Sequence, residues 1–122
     1  MNEPVTLDPA AIERLRKLGG DKFAAEMIGL FFSYGGKKMD EARQAQQAGN
    51  MADVASAAHP LKSSAGNVGA LRVQSLAALV EQSAKAGNSE AVAAQMKEFE
   101  KAYAEAKALL ETEKARLKPA SA

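Results

Sequence analysis

The sequence predicts an all-α protein, an antiparallel up-down-up-down four-helix bundle with a short additional N-terminal helix. Three observations support this fold class. Ala occurs 27 times, whereas Val, Ile and Thr together occur ten times, and Ala favours helices while β-branched residues favour strands. Apolar residues recur in steps of three and four over long segments. Short turns that contain Gly or Asn separate these segments, so neighbouring helices must run antiparallel.

The first helix is predicted to be short. Asp8 can cap it, Pro9 occupies its first position, and Gly19-Gly20 ends it. The residues before Asp8 show no periodicity, so we expect a flexible N-terminus over residues 1–7.

The second helix is predicted to run from about Lys22 to Ala48, with Asp21 as its cap. Its first half carries more apolar residues than one core-facing stripe needs. Gly35 and Gly36 interrupt it, and each costs about 1 kcal/mol relative to Ala in a helix interior. We expect a bend at this point rather than a break.

Three further helices are predicted, over about 51–68, 70–86 and 90–117. The core stripe of the third comprises Met51, Val54, Ala58, Leu61, Ala65 and Val68. One bundle domain therefore spans residues 8–117, and residues 118–122 form a flexible tail.

Composition excludes several classes of function. The net charge is +1, which argues against a nucleic-acid-binding surface. The absence of Cys excludes thiol chemistry and disulfides, and a single His argues against a zinc site of the usual kind. We expect no metal or cofactor. No apolar run is long enough to cross a membrane and no signal peptide is visible. We therefore expect a cytoplasmic protein that does not associate with membranes.

The single histidine, His59, follows the core position Ala58 and so lies on the flank of the third helix. Three residues share this flank one to two turns further on, Lys62, Ser63 and Gly66. The face therefore presents an imidazole, an ammonium group, a hydroxyl group and a bare backbone position.

His59 could be an incidental surface histidine, and two chemical interpretations compete with that one. A hydrolytic triad with Ser63 is disfavoured, because two side chains on one solvated helix face make no oxyanion site. A neutral imidazole is, however, a competent nucleophile for a phosphoryl group. Lys62 could then offset the new negative charge.

The stretch AAHPLKSSAGNVGA, residues 57–70, resembles the signature A-H-x-L-K-G-S-x-x-x-x-G-A of histidine-containing phosphotransfer (HPt) domains of bacterial phosphorelays. Val80 and Glu81 fit the apolar and Leu-Glu positions that follow it in that family, and LGGDKF resembles the family's LGGD segment. The resemblance covers about residues 8–115. The matching positions are Ala58, His59, Leu61, Lys62, Ser64, Asn67, Val68, Gly69, Ala70, Val73, Leu76, Val80 and Glu81.

The resemblance implies a monomeric phosphocarrier rather than an enzyme. His59 would accept the phosphoryl group and Lys62 would assist it. Ser63 stands where the family usually has Gly, and Gly66 would keep the face open to a partner. The partner would be the receiver domain of a response regulator or hybrid kinase, which brings the aspartate and its Mg²⁺.

The crowded apolar half of the second helix has two interpretations. It could pack against the short first helix, or part of it could form an exposed patch where a receiver docks. The candidates for docking are Ala24, Met27, Ile28 and Phe31.

Three alternatives remain open beside the phosphocarrier. The first is an HPt-like module that docks a receiver or kinase without carrying phosphate, and the second is a purely structural bundle. The third, the dimerisation bundle of a histidine kinase, normally has an acidic residue directly after the histidine, where Pro60 stands here.

Pro60 removes a helical hydrogen bond to Ser56, and we expect it to bend the helix and tilt His59 outward.

Overall fold

The computed structural model describes residues 4–117, and every regular element in this range is helical. Helix α1 spans Pro9–Leu30, a π-helical turn spans Phe31–Gly35, and α2 spans Gly36–Gln47. Helices α3, α4 and α5 follow at Met51–Asn67, Leu71–Lys85 and Ser89–Arg116.

Helix α1 consists of two segments that meet at Gly20, whose φ of 87° and ψ of −178° are not helical. Asp8 caps the first segment by accepting a hydrogen bond from the Ala10 N–H at 3.1 Å, and Pro9 follows it. The prediction of a short N-terminal helix that ends at Gly19-Gly20 is therefore confirmed. The Asp21 carboxylate accepts a hydrogen bond from Arg16 Nε at 2.8 Å.

The second segment of α1, the π-helical turn and α2 together form the long second helix of the bundle. The chain continues through Gly35 and Gly36 with helical backbone angles, so the helix is not broken there. The bend itself stays a prediction, at a point that a π-helical turn occupies. Such turns are a known cause of helix bending. Tyr103 of α5 packs here and donates a hydrogen bond from its hydroxyl group to the Phe32 carbonyl at 3.3 Å.

Four long helices pack as the sequence predicts. Turns of three residues join α2 to α3, α3 to α4 and α4 to α5. Helix α3 packs between α2 and α4, and α5 packs against α4 and α2. The predicted stripe of α3 is buried except for Met51, which is half-buried. The fold is thus an all-α, antiparallel four-helix bundle with a short N-terminal helix.

The turn between α3 and α4 also fixes the start of α1. Gly69 has a φ of 80°, and its carbonyl accepts a hydrogen bond from the Asp8 N–H at 2.8 Å. A Cβ at Gly69 would lie 2.5 Å from the Asp8 carbonyl oxygen and 2.8 Å from Ala11 Cβ. Only glycine fits this contact, because both the backbone angle and the space exclude a side chain.

Pro60 lies inside α3, which is one α-helix from Met51 to Asn67. The bend expected at Pro60 stays a prediction.

The two chain ends lie only partly in the described range. Residues 1–3 and the predicted tail 118–122 lie outside it, whereas Leu7 packs against the core. Within the described residues, no helix combines the length and the apolar character that a membrane span requires.

Candidate functional site

His59 lies at an open groove between α3 and α4. Because the preceding residue, Ala58, is fully buried, the helical rotation places His59 on the flank, where 65% of its side chain is exposed. The other residues that line the groove are mostly small: Ala52, Ala55, Ser56, Glu81, Ala84, Lys85 and Gly87. The ring is therefore accessible to another protein.

A buried carboxylate lies beneath the ring. Glu81 of α4 is the one charged residue that is buried among the described residues. Its Oε2 lies 2.7 Å from His59 Nδ1 and 3.1 Å from Lys85 Nζ, and its Oε1 lies 2.6 Å from Lys62 Nζ. Two helices thus contribute four side chains to one polar cluster.

The cluster keeps Glu81 ionised. The hydrogen bond from Lys62, followed by those from Lys85 and His59, lowers the pKa of Glu81 from 4.5 to about 2, although burial opposes the shift. Buried carboxylates are stable as anions only when they are paired in this way.

The ionised carboxylate determines which nitrogen of His59 carries the proton. A carboxylate can only accept hydrogen bonds, so Nδ1 must donate to Glu81 Oε2. In the neutral ring the lone pair then resides on Nε2, on the opposite side from the buried carboxylate. The geometry presents Nε2 as the nucleophilic atom.

Lys62 lies one turn from His59, as predicted, but its ammonium group is bound to Glu81. Ser63 is exposed on the same flank. Gly66 is partly buried, and the Gln74 amide lies so close to it that a Cβ there would collide. Gln74 Nε2 donates to the Lys62 carbonyl at 3.1 Å, so this contact ties α4 to α3 beside the site. A docking role for Gly66 stays a prediction.

The prediction that the second helix offers four docking residues needs correction. Ala24 and Ile28 are fully buried, and they share the core cluster with Ile12 and Leu15 of the first segment of α1. Their side chains cannot contact a partner, because they are buried in the core of the bundle.

Phe31 is also a core residue, 2% exposed, and this corrects its assignment as an exposed docking residue. It forms part of the wall of an apolar groove. Met27 is half-buried and lines the same groove with the exposed Leu30 and Tyr34. Docking at Met27 stays a prediction.

Sequence reasoning missed three functional candidates, all on α4: Glu81, Lys85 and Gln74. Glu81 matches the family pattern, but the sequence alone gives it no role at the site. A Glu and a Lys four residues apart share one helix face, which is the signal that could have paired Glu81 with Lys85. The rotation of α4 that turns this pair toward His59 is set by packing.

A family model described as Hpt domain matches residues 26–111. This chain belongs to the Hpt family. Hpt domains are histidine phosphocarriers of phosphorelays, and this Hpt protein has that role.

The fold of this Hpt protein is similar to the crystal structure of histidine-containing phosphotransfer protein B (HptB) from Pseudomonas aeruginosa PAO1. The two chains share 21% identity with a TM-score of 0.86, over 93% of this chain and 97% of HptB. No curated protein matches this chain in sequence at a significant level.

Proposed function

We propose that His59 Nε2 accepts a phosphoryl group from the aspartyl phosphate of a receiver domain and passes it to the aspartate of another. The observation that carries this assignment is the 2.7 Å contact between His59 Nδ1 and Glu81. It holds the proton on Nδ1, which leaves the exposed Nε2 free to attack.

The transfer needs no proton movement within this chain. The Nε2 lone pair forms the N–P bond while the P–O bond to the aspartate breaks, and the aspartate leaves as a carboxylate. Because Nδ1 keeps its proton, the ring gains a positive charge, and the buried Glu81 anion stabilises that charge. Onward transfer reverses these steps, with the aspartate of the second receiver as nucleophile.

The remaining machinery is assigned to the partner. The receiver domain of a response regulator or hybrid kinase supplies the aspartate and its Mg²⁺, and this chain supplies a positioned imidazole. The small groove residues support this division, since they leave room for a second active site around the ring. We also propose that the protein acts as a monomer in the cytoplasm, and light scattering tests the monomer.

Transfer of label from a receiver domain tests this proposal. A purified receiver, phosphorylated on its aspartate with labelled acetyl phosphate, is incubated with the chain. We expect label that is acid-labile and alkali-stable, which is typical of phosphohistidine. His59→Gln should abolish it, whereas Ser63→Ala should retain it because the neighbouring hydroxyl group is not the acceptor. Label that persists in a folded His59→Gln variant would contradict the assignment.

A further inference from the structure

Lys85 belongs to the His59 cluster, although the phosphate-binding role was expected for Lys62. Both lysines bind the carboxylate of Glu81, but not equivalently. Lys62 Nζ has Oε1 at 2.6 Å, whereas Lys85 Nζ lies 3.1 Å from Oε2, the oxygen that also accepts from His59 at 2.7 Å. The contact of Lys85 is therefore the longest of the three contacts to Glu81. Lys85 also shares its carboxylate oxygen with His59, whereas Lys62 has an oxygen to itself.

The two lysines also differ in their freedom to move. The side chain of Lys62 is 36% exposed, whereas that of Lys85 is 67% exposed. Lys85 is the last residue of α4. Its long stem can carry the ammonium group through solvent with little change in packing.

The charges of the cluster change when His59 is phosphorylated. Before transfer, two ammonium groups face one carboxylate, so positive charge is in excess even with the ring in the neutral form that attacks. Afterwards the ring is cationic and carries a phosphoryl group with roughly two negative charges. The cationic ring binds Oε2 more strongly, and the phosphoryl oxygens offer a new site to a cation.

We propose that Lys85 leaves Glu81 on phosphorylation and binds the phosphoryl group on His59, while Lys62 stays with Glu81. This inference rests on the proposed function and names the residue that stabilises the phosphorylated state. Lys85 and His59 bind the same carboxylate oxygen, so the ammonium group starts within two hydrogen-bond lengths of the ring. A contact made only in the phosphorylated state shifts the phosphorylation equilibrium toward that state.

The equilibrium can be measured without a receiver. The chain is incubated with phosphoramidate, a small-molecule donor whose phosphoryl group moves to His59 Nε2 with release of ammonia. At fixed phosphoramidate and ammonium concentrations, intact mass gives the ratio of phosphorylated to free protein. We expect Lys85→Met to lower this ratio about fivefold, as for an exposed charge-assisted contact.

Two further variants separate a contact from a structural or general charge effect. Lys85→Arg should stay within about twofold of the wild-type ratio, because it keeps the cation. Lys101→Met, which removes an exposed lysine of α5, should leave the ratio unchanged. An unchanged ratio in a folded Lys85→Met variant would overturn the inference, and so would an equal loss in Lys101→Met. Failure of the receiver experiment, by contrast, would count against the proposed function.

Discussion

At the scale of single residues, Glu81 organises the site. Its one negative charge holds the proton on His59 Nδ1, binds Lys62 and binds Lys85. The sequence predicted that His59 and Lys62 share one flank of a helix, because the order of residues within a helix determines which side chains lie on the same face. It could not predict that Glu81 lies under the ring, since that depends on how α4 is rotated against α3.

Replacing Glu81 with glutamine tests its part in the transfer. The amide is neutral and cannot offset the charge that the ring gains, so we expect transfer from the receiver to slow by roughly ten- to a hundredfold. The exposed Glu98 of α5 provides the control, since Glu98→Gln should transfer at the wild-type rate. Equal rates for Glu81→Gln and the wild type would remove Glu81 from the mechanism. Rapid quenching of the labelling reaction measures the transfer rates of the wild type and of the two variants.

The low pKa of Glu81 predicts how stability depends on pH. Its folded-state pKa of about 2 lies below the ordinary value of 4.5, so its ionisation stabilises the fold above about pH 4.5. That contribution is lost as the pH falls toward 2. The free energy of unfolding of the wild type, relative to Glu81→Gln, should therefore decrease over this range. Urea titrations at several pH values measure it, and a difference that is constant with pH contradicts the prediction.

At the scale of elements, the sequence predicted the helices better than the surfaces that they expose. The end of the short first helix at Gly19-Gly20 could be predicted from the sequence, because two glycines follow a helix that Asp8 caps. Apolar residues cover more than one face of the second helix, so the pattern alone could not separate core from docking residues. Tertiary packing decides this, and in the folded chain Ala24 and Ile28 are core residues.

The contact of Gly69 with Asp8 gives a test of how α1 is held. Gly87 is a matched control, because its φ is 71° but a Cβ there would meet nothing within 4 Å. Gly87→Ala should lower the free energy of unfolding by about 1 to 2 kcal/mol, through backbone strain alone. Gly69→Ala should cost about 1 to 3 kcal/mol more, because its Cβ also collides with Asp8 and Ala11. Equal losses in urea unfolding would show that the contact is unimportant.

At the scale of the whole molecule, the bundle places one imidazole in an open groove and supports it from the neighbouring helix. Composition, helical periodicity and turn residues were sufficient to predict the four-helix architecture. The site depends on how α3 and α4 are rotated and shifted relative to each other. Only the folded structure brings His59 of α3 and Glu81 of α4 together.

In the proposed phosphorylated state, His59 bears the phosphoryl group on Nε2, and its Nδ1 keeps the proton and donates it in a hydrogen bond to Glu81. Nitrogen-15 NMR of the phosphorylated, ¹⁵N-labelled protein tests it most directly, because the phosphorus couples to the ring nitrogen that bears it. We predict that the coupling is to Nε2 and that Nδ1 remains protonated. Coupling to Nδ1, or a phosphorylated protein whose His59 ring is unmodified, would contradict the account.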